Sequence, residues 1–172
     1  MNLPTSQRPY SHRSGFTLIE TLVYLALYAL IIGGALTAVY SMIESSARNE
    51  ATAMTEEEGD YLLAKIDMTI GDTASVRVPN SSGDTLSVVE FDGTAVTLNN
   101  CGTGLCRTEG TAVPQRLNNS DVSVSKLTFT YIHATSDGFD PARVSASFLL
   151  TATTSDGHTR SRDFSVSRFI HV

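Results

Sequence analysis

From Leu18 to Ile43 the chain is predominantly Leu, Ile, Val, Ala, Tyr and Gly, and Glu20 is the one charged side chain in that run. The run exceeds the roughly 20 residues a helix needs to cross the hydrocarbon of a bilayer. It is apolar on every side rather than along one stripe, so such a helix belongs in lipid or among other helices of its kind. A lone carboxylate there costs about 2.5 to 3.5 kcal/mol even on the lenient insertion scale. Glu20 therefore calls for a positive partner.

Gly15-Phe16-Thr17-Leu18-Ile19-Glu20 supplies one. A cut after Gly15 makes Phe16 a new N-terminus and places an α-amine about one helical turn from Glu20. Ammonium and carboxylate then neutralise each other, within one chain or between neighbours, in a medium where neither is stable alone. That hexapeptide, behind a short basic leader and ahead of a long apolar helix, resembles the type IV prepilins and the pseudopilins of type II secretion. The resemblance implies that a prepilin peptidase cuts between Gly15 and Phe16 and N-methylates Phe16. It also implies that Phe16 and Glu20 carry assembly with other pilin or pseudopilin subunits on a membrane assembly platform, the helix lying in membrane lipid beforehand. The expected location is the cytoplasmic membrane, single-pass with the head outside, then a periplasmic or cell-surface filament.

The segments read as a leader (1–15), an apolar membrane and polymerisation half-helix (16–43), an amphipathic half-helix (44–71) and a β-rich head (72–172). The leader holds Pro4 and Pro9, which argue against a helix, and Arg8 and Arg13, which favour the cytoplasmic side. An ordinary secretory signal peptide is the rival reading, with Val39-Tyr40-Ser41 as its cleavage site. It expects an apolar core of only about 7 to 15 residues. An uncleaved anchor is the second rival, against which Gly15 and Glu20 stand. Removing the leader's two arginines takes the formal charge from −6 to −8, a poor basis for nucleic-acid binding, which needs clustered Lys and Arg.

Within the long helix Gly33-Gly34 is the weak point, since each glycine costs about 1 kcal/mol against alanine. Many pilins have a proline near Thr37, and this chain has none. Past Glu44 the spacing of Ala47, Ala51, Met54, Tyr61, Lys65-Ile66 and Ile70 predicts a face that packs on a sheet, with Gly71-Asp72 as the stop. Glu56-Glu57-Glu58 reads as a solvated helix face and Gly59 as a bend.

Beyond lies an antiparallel sheet. Val76 to Val78 is a short strand closed by the turn 79–83, and Leu86–Phe91 and Thr94–Leu98 form a hairpin on Asp92-Gly93. A two-residue turn there sets Val89 opposite Val96. Three further alternating stretches start at Leu127, Val144 and Phe164 and make a meander, with turns at 136–138 and 155–157. The fold class expected is α+β, a long N-terminal helix packed on a C-terminal antiparallel sheet, as in pilins. The meander, ending near Arg168, looks loosely like that of the J or W branch of minor pilins. Cys101-Gly102-Thr103-Gly104-Leu105-Cys106 reads as a disulfide loop in an oxidising compartment. A zinc half-site would need a second ligand pair, which does not follow.

The residues suggest no catalysis, cofactor or metal. His133, His158 and His171 are scattered, no serine has a positioned base, and Asp137 with Asp140 supply too few oxygens for calcium. Asn80-Ser81-Ser82 and Asn118-Asn119-Ser120 match a glycan-acceptor pattern. Three functions are thus weighed: a minor pilin or pseudopilin, a membrane-tethered binding or adhesin domain that does not polymerise, and a tethered hydrolase. The first leads.

Overall fold

A computed structural model describes residues 15–79, 81–135, 140–155 and 157–170. The expected helix runs unbroken from Leu18 to Gly71 (α1), straight through Gly33-Gly34. The chain divides into two compact units, Met1–Ile43 and Glu44–Val172. In the first, every residue from Thr21 to Ile43 is exposed, as an all-round apolar sequence dictates when no partner is present. Antiparallel sheets follow α1, so the architecture is α+β and pilin-like.

In the second unit α1 buries Ala47, Ala51, Thr55, Gly59, Leu62, Ile66 and Ile70, at steps of three and four residues. The expected face was one position off in its middle. Met54 is half-buried and Tyr61 is 44 % exposed, with the Lys65 ammonium 5.6 Å from its ring. Small residues fill the contact between positions 47 and 59 because the sheet comes too close for large ones. Met54 and Tyr61 mark the rim instead, while Ile66 and Ile70 are buried as expected. The helix stops where Asp72 donates its N–H to Met68 O and the Thr73 hydroxyl donates to Thr69 O.

Two antiparallel sheets follow, where one was expected. The first has the order β1-β3-β4-β5-β6 and contains Thr73–Val78 (β1), Thr85–Glu90 (β3), Ala95–Asn100 (β4), Leu105–Glu109 (β5) and Gln115–Arg116 (β6). The second has the order β2-β7-β8-β9 and contains Ser82–Gly83 (β2), Val122–Ile132 (β7), Arg143–Thr153 (β8) and Thr159–Phe169 (β9). Part of the expected 79–83 turn is thus a strand, and β5 and β6 extend the first sheet past the cysteine loop. Their buried faces close on Leu62, Ile66 and Ile70 of α1, with Phe129 and Phe148 the largest fully buried side chains.

The β3–β4 hairpin differs from expectation by one residue. Gly93 N–H donates to Glu90 O and Glu90 N–H to Thr94 O, each at 2.9 Å, so the loop is Phe91-Asp92-Gly93. Gly93 takes a φ of 87°, the left-handed conformation that closes a three-residue hairpin loop. Val88, not Val89, therefore opposes Val96, and both point into the core. A one-residue slip would put Val88 and Val96 on opposite faces of the sheet. Asp92 Oδ1 accepts the Thr94 N–H at 2.7 Å, and this bond with that from the Thr94 hydroxyl holds the carboxyl below the usual carboxylate range.

The meander β7-β8-β9 is present, and β7 begins at Val122, earlier than the alternation implied. Its register shifts between Ser125 and Thr128, where Lys126 adopts a φ of 53°. The bulge reverses the phase, so Val122 and Val124 stay on the same buried face as Leu127 and Phe129. Strand β9 lies along α1 through Arg162 with Glu56, Phe164 with Gly59, and Arg168 with Asp67. The glutamate triplet is accordingly more than a solvated face: Glu56 pairs with Arg162, Glu58 accepts the Asn119 N–H at 2.6 Å, and Glu57 alone is fully exposed. Gly59 is a place of close approach, where the Phe164 ring lies against the helix.

Cys101 and Cys106 form a disulfide, with Cα atoms 5.8 Å apart. The Thr103 carbonyl inside the loop accepts the Val124 N–H at 2.9 Å, tying the turn of the first sheet to the second. A loop of sequence separation 5 gives a closure contribution of about 2 kcal/mol in the chain-entropy account. Replacing both cysteines with serine is expected to lower the unfolding free energy of the full-length protein in detergent by about that amount. Urea midpoints check it, and an unchanged midpoint would show the cross-link to be thermodynamically idle.

Candidate processing and assembly site

Gly15, Phe16 and Thr17 precede the first turn of α1 in non-helical conformation. Thr17 O accepts the N–H groups of Glu20 at 3.1 Å and Thr21 at 3.2 Å, which starts the helix. The Thr21 hydroxyl donates to Leu18 O at 2.8 Å. Glu20 stands in the first turn, the end at which the helix dipole favours an anion.

Phe16 is 74 % exposed, and a side chain built on Gly15 would meet no atom within 4 Å. The proposed scissile bond thus lies on an open segment just outside the helix. Glu20 is half-buried. Its Oε1 accepts a hydrogen bond from the Tyr24 hydroxyl at 3.2 Å, and the Tyr24 ring meets the Phe16 ring edge-on with centroids 6.2 Å apart. Tyr24 escaped the sequence reading, although a position four residues from Glu20 on a helix is its neighbour on the same face.

The other candidates are dispersed. His133 packs edge-on against Tyr131, and His158 exchanges hydrogen bonds with Thr154. Asp140 donates its N–H to the Thr135 hydroxyl, while Asp137 lies outside the described residues, as do Asn80 and His171. Asn118 is 6 % exposed, with its amide donating to Val122 O at 2.6 Å and its carbonyl accepting from Leu105 N–H. That side chain is a buried bridge between the sheets, not a reachable glycan acceptor. Among the described residues no group of three His, Cys, Asp or Glu side chains is placed to hold a metal ion.

Helix α1 is long and apolar enough to cross a membrane, and an open Gly–Phe bond precedes it. Residues 10–36 match the prokaryotic N-terminal methylation motif. The match covers that N-terminal segment alone, which is similar to the segment that prepilin peptidase processes in type IV prepilins. Comparison with the curated proteins and with the solved structures finds no match.

Proposed function

We propose that the protein is a minor pilin or pseudopilin, a non-enzymatic subunit of a type IV pilus or type II secretion-like filament. The observation that supports it most is the bare apolar surface of α1 from Thr21 to Ile43 directly behind the methylation motif. In the membrane that surface meets lipid, and in a filament it meets the same surface of other subunits. Lipid tails are as apolar as leucine, so moving the helix from one to the other gains little hydrophobic energy. Packing and the pairing of the Phe16 amine with Glu20 then select the assembled state. On this reading the half-helix 44–71 and the head 72–172 lie outside the membrane, and a prepilin peptidase removes residues 1–15.

Mass spectrometry of the N-terminus of protein taken from cell envelopes tests the proposal. The expected result is a chain starting at N-methylated Phe16, present also in sheared filaments. A chain that keeps its first fifteen residues, or one starting near Met42, would overturn it. A correctly processed chain that never enters filaments would instead support the tethered binding domain.

A further inference from the structure

We propose that Tyr24 is a positioning residue for assembly, its hydroxyl orienting the Glu20 carboxylate and its ring bracing Phe16. The inference deepens the function proposed above and rests on Glu20 being the assembly carboxylate. Glu20 and Tyr24 share one side of the first turns of α1, and Phe16, just ahead of the helix, sets its ring against that of Tyr24. The hydroxyl of Tyr24 lies 3.2 Å from Glu20 Oε1, and the two aromatic rings meet at an interplanar angle of 66°.

Both partners need this contact in an apolar medium. A phenol hydroxyl facing hydrocarbon has no water to bond, and a carboxylate without donors is worse placed still. Each satisfies the other, and the bond strengthens as the local dielectric falls. With Oε1 engaged, the second carboxylate oxygen is left for an incoming ammonium, already held in one orientation. The edge-on contact between the rings restrains the residue that would carry that ammonium. Tyr24 thereby orders both halves of the ion pair before a neighbouring subunit arrives. Tyr28, four residues further along, is 64 % exposed and makes no side-chain hydrogen bond among the described residues. It serves as the internal control.

The test uses full-length protein carrying Tyr24→Phe, Tyr28→Phe, Glu20→Gln, or Tyr24→Phe with Glu20→Gln. Tyr24→Phe keeps the ring and removes only the hydroxyl. The expected result is unchanged membrane level with filament incorporation lowered about three- to tenfold, no effect of Tyr28→Phe, and a double variant no worse than Glu20→Gln. Isotope-edited infrared spectra in detergent micelles add a readout independent of assembly. The carboxylate band that disappears in Glu20→Gln should shift in Tyr24→Phe and stay in place in Tyr28→Phe. Wild-type incorporation of Tyr24→Phe beside a defective Glu20→Gln, or an unmoved carboxylate band, overturns the role of Tyr24 alone. Wild-type incorporation of Glu20→Gln removes the underlying reading with it.

Discussion

Replacing Glu20 with leucine is expected to leave the protein in the membrane and to lower its incorporation into filaments by about a hundredfold or more. The two halves of this result have opposite signs for one physical reason. In lipid, Glu20 is a liability of about 2.5 to 3.5 kcal/mol, so leucine makes α1 a better membrane helix. In a filament, the same change strands the Phe16 ammonium among apolar helices. Removing one member of a buried ion pair costs about 3 to 5 kcal/mol, and each 1.4 kcal/mol is about a tenfold change in an equilibrium. A mere folding or targeting defect would lower membrane level and incorporation together. Glutamine separates charge from hydrogen bonding, because it can still accept from Tyr24 but cannot neutralise an amine. Quantifying processed subunit in membranes and in sheared filaments decides the matter. Equal incorporation of the leucine variant and wild type would sink the proposed pairing.

Chemical incongruity is what made the N-terminal site legible: one acid in an apolar run is visible without any structure. Tyr24 was not, because a tyrosine among apolar residues is unremarkable until its hydroxyl is seen 3.2 Å from Glu20. Helix α1 was readable for the same reason as the acid, through a long uninterrupted composition. Its packing face was readable at Ala47, Ala51, Ile66 and Ile70 but not at Thr55 and Gly59, which are buried there and carry no hydrophobic signal. In the sheets, alternation located β8 and the meander but not where phases break. The bulge at Lys126 and the three-residue loop ending at Gly93 each shift the pattern by one residue, and alternation within either flanking strand does not show how the two phases are joined. Strands β5 and β6 have no alternation to read: β5 opens on two adjacent buried residues, Leu105 and Cys106, and β6 is two exposed residues. Division into two sheets depends on long-range pairings such as Ser82 with Thr130, which no local window contains.

The substitution Gly59→Ala is expected to destabilise the head by about 2 to 3 kcal/mol, against the sign that helix propensity alone predicts. Gly59 lies inside a helix, where alanine is normally better by about 1 kcal/mol. A Cβ at this position would stand 2.1 Å from Cζ of Phe164 and 2.3 Å from its Cε1, well inside contact distance. The ring has little freedom to retreat. It stacks on Phe148 at 5.6 Å with an interplanar angle of 17°, and the Arg162 guanidinium lies 5.4 Å from its centre. Phe164 must therefore leave its site or push β9 away from α1, along the strand that also carries the Glu56–Arg162 and Asp67–Arg168 pairs. Overpacking of this kind costs about 1 to 3 kcal/mol, and full loss of a buried phenylalanine about 3 to 5, so the steric term exceeds the propensity gain. The two effects separate in a double-mutant cycle. Phe164→Ala alone should cost about 3 to 5 kcal/mol, and on that background Gly59→Ala should become stabilising by about 1 kcal/mol, because only propensity is left. Urea unfolding of the full-length variants in detergent measures all four corners. A stabilising Gly59→Ala in the otherwise unchanged protein would mean that α1 and β9 are not packed as closely as described.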